Sequence, residues 1–220
     1  MDESVFLPGG VFAVEEEILI CRERGEECRA VEELVRESFW NVYRPGCLEH
    51  YVLHRLRSCP EFVPSLSLLL YFRGGLAGQI AFVKNTLTGG GGAQVPVLTL
   101  GPLCIRPSLQ RQGLGKRLLD HALGEAAKTE AAGVFLEGNP EFYGKSGFVE
   151  ASSLGIDYMD EPPGASVPYF LVHPLDKARL QGIQAPYRVP KGYLVDEGEA
   201  EEFDRTFPPR EKLRLPGQLF

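Results

Sequence analysis

"VPVLTLGPLCIRPSLQRQGLGKRLLD", residues 95–120, is the stretch on which the fold turns. Its apolar opening, 95–105, reads as a strand, and the run from Gly113 reads as a helix continuing to residue 131. The strand carries its own interruption at Gly101-Pro102. Proline has no N–H to give a ladder and glycine often marks a bulge, so pairing is expected to break there and the strand to splay. A splayed strand leaves backbone groups, those of Leu103 and Ile105, free to bind an extended ligand as another strand would.

Between strand and helix lies Gln110-Arg111-Gln112-Gly113-Leu114-Gly115. A Walker A loop would need Gly at the place of Gln110 and Ser or Thr at that of Arg117, and a dinucleotide fingerprint would need Gly where Leu118 stands. Both are excluded. What remains is a glycine-containing turn into a helix, where successive N–H groups and the helix dipole converge on an anion such as a pyrophosphate. The charge pattern agrees: from Glu61 to Asp120 there is no acid in between, only Arg73, Lys84, Arg106, Arg111, Lys116 and Arg117. The whole chain, by contrast, carries a net charge of -7, which argues against a nucleic-acid binder.

Upstream, "EILICRER" (17–24) reads as a strand, 26–40 as a helix with Val31, Leu34, Val35 and Phe39 on one face, and 47–59 as a second helix with Leu48, Val52 (with Tyr51) and Leu56 repeating along it. "SLSLLLYF" and "LAGQIAFVKN" form a hairpin expected to turn at Gly74 and Gly75, and Gly89–Gly92 is a loop without chemistry. Downstream come the strand "GVFLEGN", a turn into Gly147-Phe148, and a strand pair at 149–159 and 167–173 closing the sheet. Strands and helices in this order predict one α+β domain with a mixed, mostly antiparallel central sheet flanked by helices. Residues 174–220, rich in proline and acids, read as an extension packed on the domain of residues 1–173, with a short helix capped by Asp196 and an extended end.

The N-terminus "MDESVFLPGGVF" has no basic-then-apolar pattern of a signal peptide, and no apolar run is long enough to span a bilayer, so no membrane role is expected. Five cysteines, an odd number without a C-x-x-C pair, suit reduced thiols in a cytoplasm. His50 and His54 lack the neighbouring Glu of a zincin, and no metal is expected.

One further motif, "NPEFYGKSGF" at 139–148, completes a set. With Gln-x-x-Gly-x-Gly at 110–115 and Phe-Tyr-x-Lys-x-Gly-Phe at 142–148, the sequence resembles the GNAT superfamily of acetyl-coenzyme A-dependent N-acetyltransferases over roughly residues 17–173. The segment "SFWNVYRPGCLEHYVLHRLR" (38–57) is similar to predicted bacterial acetyltransferases of the YhbS kind. The resemblance implies a GNAT-like domain splayed at the cofactor strand, with acetyl-CoA as co-substrate. The acetyl and pantetheine groups would lie along Leu103 and Ile105, and the pyrophosphate on Arg111, Gln112, Gly113, Leu114, Gly115 and Lys116. Asn139 matches a position that contacts the cofactor arm, and Tyr143 matches the residue that would steer the departing thiolate and could donate its proton. The Gly-Pro inside the strand and Gly144 after the tyrosine depart from the family pattern.

The implied reaction is acetylation of a primary amine on a small molecule or peptide. It needs a neutral amine, a polarised carbonyl and a proton for the thiolate. Candidates for the base are Glu137, Glu49 and His50, and Trp40, Asn41 and Tyr43 are candidates for an acceptor pocket. A monomer or homodimer is expected. The alternative is a non-catalytic acyl-CoA-binding sensor or interaction module.

Overall fold

Val31, Leu34, Val35 and Ser38 recur at helical spacing and are all buried, which gives the first helix, α1 (Cys28–Phe39), its single apolar face. It follows β1 (Ile18–Arg22) and precedes α2 (Glu49–Leu56). The computed structural model describes residues 18–158 and 161–219. The N-terminal stretch read as lacking a signal sequence, Glu17, and the end of the 149–159 strand lie outside these. In α2 the buried residues are His50, Tyr51, Leu53 and Leu56, while Leu48 and Val52 are half-buried. The expected stripe is therefore widened, because Phe203, tilted, and Phe207, edge-on, from the C-terminal segment pack against His50 and bury a second side of the helix.

The remaining elements are β2 (Leu68–Phe72), β3 (Gly75–Thr88), β4 (Gln94–Ile105), α3 (Leu114–Ala126), β5 (Gly133–Glu137), α4 (Pro140–Tyr143), β6 (Val149–Glu150), β7 (Ile156–Tyr158), β8 (Phe170–Pro174), α5 (Lys177–Leu180), β9 (Ala185–Tyr187) and α6 (Glu197–Asp204). Seven strands form one mixed sheet in the order β1-β2-β3-β4-β5-β8-β6, antiparallel except for β4 beside β5. The fold is thus a single α+β domain built on a mixed sheet flanked by helices. The β2–β3 turn uses Arg73 (φ 50°) and Gly74 (φ 76°), so Gly75 opens β3 rather than closing the turn. The helix α3 stops at Ala126, short of residue 131, where Thr129 donates its hydroxyl to the Ala126 carbonyl at 2.7 Å.

Strand pairing after β5 also differs from expectation. Val149 and Glu150 pair with β8, but the turn at Ala151–Leu154 and Gly155 (φ 75°) redirect the chain. As a result β7 leaves the main sheet and pairs in parallel with β9, from the C-terminal segment.

Side-chain alternation sorts the sheet into two faces. Leu68, Leu70, Ile80, Phe82, Leu98, Leu100, Val134 and Leu136 meet Leu118, Leu119, Ala122 and Leu123 of α3. On the opposite face Leu69, Ala81 and Cys104 meet α1 and α2, while Val97, Phe135, Phe170 and Val172 meet Leu180, Ala185 and Tyr187. That second face is consequently shared between the first two helices and the C-terminal segment. Asp196 caps α6, accepting from Glu199 N–H at 3.0 Å.

Candidate active site

The fork in the sheet follows from the register. β5 runs beside β4 only at Leu98–Val134 and Thr99–Phe135. Two residues on, Gly101 and Pro102 together oppose Ala81 of β3, a bulge that interrupts the ladder. Past it, Arg106 N–H donates to Ala77 O at 2.7 Å. The alternation of an antiparallel ladder then turns the N–H and C=O of Leu103 and Ile105 away from β3, toward the open side of the fork. The Ile105 carbonyl is not free as expected: it accepts from Gln110 Nε2 at 3.0 Å and from the Ser38 hydroxyl at 3.3 Å, tying the loop and α1 to the strand end and leaving the Ile105 N–H and both groups of Leu103 on the open side.

The loop enters α3 with Arg111 at φ 60° and Gly113, the N-cap, at φ 82°. A Cβ on Gly113 would meet nothing within 4 Å, so its glycine serves conformation and an open approach rather than packing. No side chain caps α3, and Arg117 N–H to Gly113 O, 3.1 Å, is the helix's first bond. The N–H groups of Leu114, Gly115 and Lys116 therefore stand outside the ladder at the positive end of the helix dipole. Gly115 packs closely, its Cβ position 3.4 Å from Phe142 and 3.5 Å from Ile105. Arg111, Gln112, Lys116 and Arg117 are exposed around this turn, with Lys116 paired to Asp120. The set fits a diphosphate on the loop and an amide-bearing arm along the strand.

Tyr143 ends α4, which Asn139 starts by accepting from Glu141 N–H at 2.8 Å. Its ring lies edge-on to Phe142 and Phe148, and against Gly138 so closely that a Cβ there would sit 2.3 Å from Tyr143 Cε2. Gly138 was not singled out in the sequence; its position between a strand and Asn-Pro was the available signal. Burial, with the phenol of Tyr43 nearby, pushes the Tyr143 pKa above the usual tyrosine range. Tyr43 is raised in turn by burial and by Glu49. Burial likewise raises the Glu49 carboxyl, opposed by the N–H groups of Glu49 and Leu48 and by Arg44. Tyr43 is thus electrostatically coupled both to Tyr143 and to Glu49.

The other candidates lie elsewhere. Trp40 Nε1 and Asn41 Nδ2 both donate to Glu211 O, at 2.9 and 3.0 Å, and Asn41 Oδ1 accepts from Gly46 and Leu213 N–H. Their polar groups hold the C-terminal strand of chain rather than facing the fork. His50 is fully buried between Cys47 Sγ (3.3 Å from Nδ1) and Asp204 Oδ1 (3.2 Å from Nε2), and burial pushes its pKa well below the histidine range. Glu137, exposed at the end of β5, accepts from the Tyr158 hydroxyl at 2.6 Å. Among the described residues no cluster of His, Cys, Asp and Glu could hold a metal, and no helix is long and apolar enough to cross a membrane.

Residues 65–150 match the family described as the acetyltransferase (GNAT) domain. A GNAT family N-acetyltransferase (YhbS) from Escherichia coli, solved with CoA, is 22% identical, with a TM-score of 0.66 over 81% of this chain and 92% of that one. A GNAT family acetyltransferase from Brucella melitensis, solved with acetyl-CoA, is 23% identical, with a TM-score of 0.57 over 73% and 89%. At these identities the likeness is one of fold. No curated protein matches the sequence.

Proposed function

We propose that this chain, whose residues 65–150 are a GNAT acetyltransferase domain, moves an acetyl group from acetyl-CoA to a primary amine of a small molecule or peptide by direct attack on the thioester. One observation carries the reading: the edge of β4 turned away from β3 at Leu103 and the Ile105 N–H leads into the uncapped start of α3, with Tyr143 packed against Gly138 just past the end of β5. The pyrophosphate would lie on the amides of residues 111–116 and the pantetheine arm along Leu103 and Ile105.

The Leu103 N–H is placed to polarise the thioester carbonyl as charge develops on its oxygen. The amine nitrogen forms the new bond to that carbon, the C–S bond breaks, and the ammonium proton passes to the carboxylate of Glu49, directly or through water. Burial makes Glu49 a stronger base than an exposed carboxylate. Tyr143 acts by hydrogen bonding. A phenol of pKa ~10 is already a weaker acid than a thiol of ~8.5, and burial weakens it further. Its hydroxyl therefore steadies the leaving thiolate without surrendering its proton, and the thiolate takes its proton from solvent water.

The test is thiol release from acetyl-CoA across a panel of amines, with Tyr143→Phe beside the wild type. Lower turnover at nearly unchanged acetyl-CoA affinity supports the role, and equal turnover removes it. Acetyl-CoA binding without thiol release for any amine would select the alternative, a non-catalytic acyl-CoA-binding module.

A further inference from the structure

We propose that Tyr193, delivered by the C-terminal segment, closes the inner end of the β4–β5 fork and limits the donor to short acyl groups of the acetyl or propionyl kind. The inference rests on the donor-site reading above and adds a specificity residue that lies outside the matched domain.

The Tyr193 hydroxyl donates to the Gly101 carbonyl at 2.9 Å, and its Cε1 and Cζ lie 3.5 and 4.0 Å from the Cβ position of Gly101. Gly101 is the first residue of the bulge, two positions past the last β4–β5 pair, Thr99–Phe135. At about 3.3 Å per residue, Tyr193 therefore stands roughly 7 Å above the point where the strands part. A donor running from the α3 turn past Ile105 and Leu103 reaches Pro102 and Gly101 next. What extends beyond its carbonyl carbon meets the Tyr193 ring.

Two features make this a fixed wall. Tyr193 follows Gly192, whose Cβ position is 2.7 Å from Leu56 Cδ2 and 3.0 Å from Cys59 Sγ, so the turn Lys191–Tyr193 packs closely on the last residue of α2 and on Cys59 just beyond it. Two residues before Gly101 on β4, Thr99 shares a hydrogen bond of 2.8 Å with Tyr187, and Asn85 Nδ2 donates to Thr99 Oγ1 at 3.3 Å. An acyl chain threading past Tyr193 would have to enter this buried polar network, which costs free energy unless the network's bonds are kept.

The experiment is calorimetric titration of the full chain with CoA, acetyl-CoA and hexanoyl-CoA, using wild type, Tyr193→Phe and Tyr193→Ala. The wild type should bind hexanoyl-CoA about tenfold or more weakly than acetyl-CoA. Tyr193→Phe keeps the ring and should keep this preference, which separates the wall from the hydrogen bond. Tyr193→Ala should recover about tenfold for hexanoyl-CoA with acetyl-CoA changed less than about threefold. Equal binding of the two thioesters by wild type overturns the inference whether or not the alanine variant folds, as does an unchanged preference in a folded Tyr193→Ala. Failure of wild type to bind even CoA is a separate result that overturns the donor site and this inference with it.

Discussion

Replacing Gly138 by alanine would place a methyl carbon 2.3 Å from Cε2 and 2.9 Å from Cδ2 of Tyr143, and 3.1 Å from Leu136 Cδ1. Carbon atoms rest at about 3.5–4.0 Å, so the Tyr143 ring has to move by roughly 1.2 Å or more. Gly138 is not among the positive-φ glycines, which leaves the clash rather than backbone torsion as the cause. Overpacking of this kind costs about 1–3 kcal/mol. At roughly 2–4 °C per kcal/mol for a chain of this length, the unfolding midpoint should fall by about 5 °C. The assay is a thermal double-mutant cycle with Tyr143→Ala, which empties the space the methyl needs. Gly138→Ala should then be almost harmless in the Tyr143→Ala background, a coupling of about 1 kcal/mol or more. In the otherwise native protein the displaced phenol should also lower turnover by up to about 10²-fold. The same stability loss in both backgrounds would refute the claim that Gly138 exists to seat the Tyr143 ring.

Glu49→Gln should lower turnover by about 10²-fold and remove the acid limb of the pH–rate profile, because a base works only when deprotonated and the Glu49 pKa is raised; an unchanged limb dismisses Glu49. Asn41→Ala deletes hydrogen bonds to Glu211, Gly46 and Leu213, about 3 kcal/mol at ~0.5–1.5 each with some left-handed strain added. Hydrogen exchange should rise in residues 208–219 first, and uniform loss of protection would argue against a local strap. His50 has a folded-state pKa below its unfolded value, so the unfolded chain binds the extra proton. Its contribution is complete above pH ~6.5 and lost as pH falls toward the lowered value. The thermal midpoint should drop over that window in wild type and flatten there in His50→Phe, and an identical slope in both would locate the effect elsewhere.

The parts of the fold that could be read from sequence are those whose cause is local. Gly101-Pro102 lacks a donor, and the ladder breaks at that place. The α1 stripe has helical spacing, and Asp196 stands where a cap is needed. The parts that could not be read depend on residues far along the chain. Trp40 and Asn41 looked available because nothing near them announces Glu211, some 170 residues on. The inward face of α2 was read only in part for a similar reason: Tyr51 and Leu56 are buried as expected, but His50 is buried too, against Phe203 of α6. The 149–159 strand divided because β9 offered β7 a partner that no alternation pattern in either segment reveals. Within the site, the glycine loop and Tyr143 carry motifs, whereas Gly138 matters only through the fit of the Tyr143 ring and Tyr193 only through a contact with Gly101 some 90 residues away.

The most direct test of the donor site is titration of wild type, Gly113→Asn and Gly113→Asp with acetyl-CoA. Gly113 is left-handed with open space around it, and Asn and Asp both tolerate that conformation, so the pair differs chiefly in charge. Wild type should bind, Gly113→Asn should stay within several-fold of it, and Gly113→Asp should bind about tenfold more weakly or worse, with the gap narrowing as salt is added. Equal binding by the Asp and Asn variants, or no binding by wild type, would contradict a pyrophosphate seat at the start of α3.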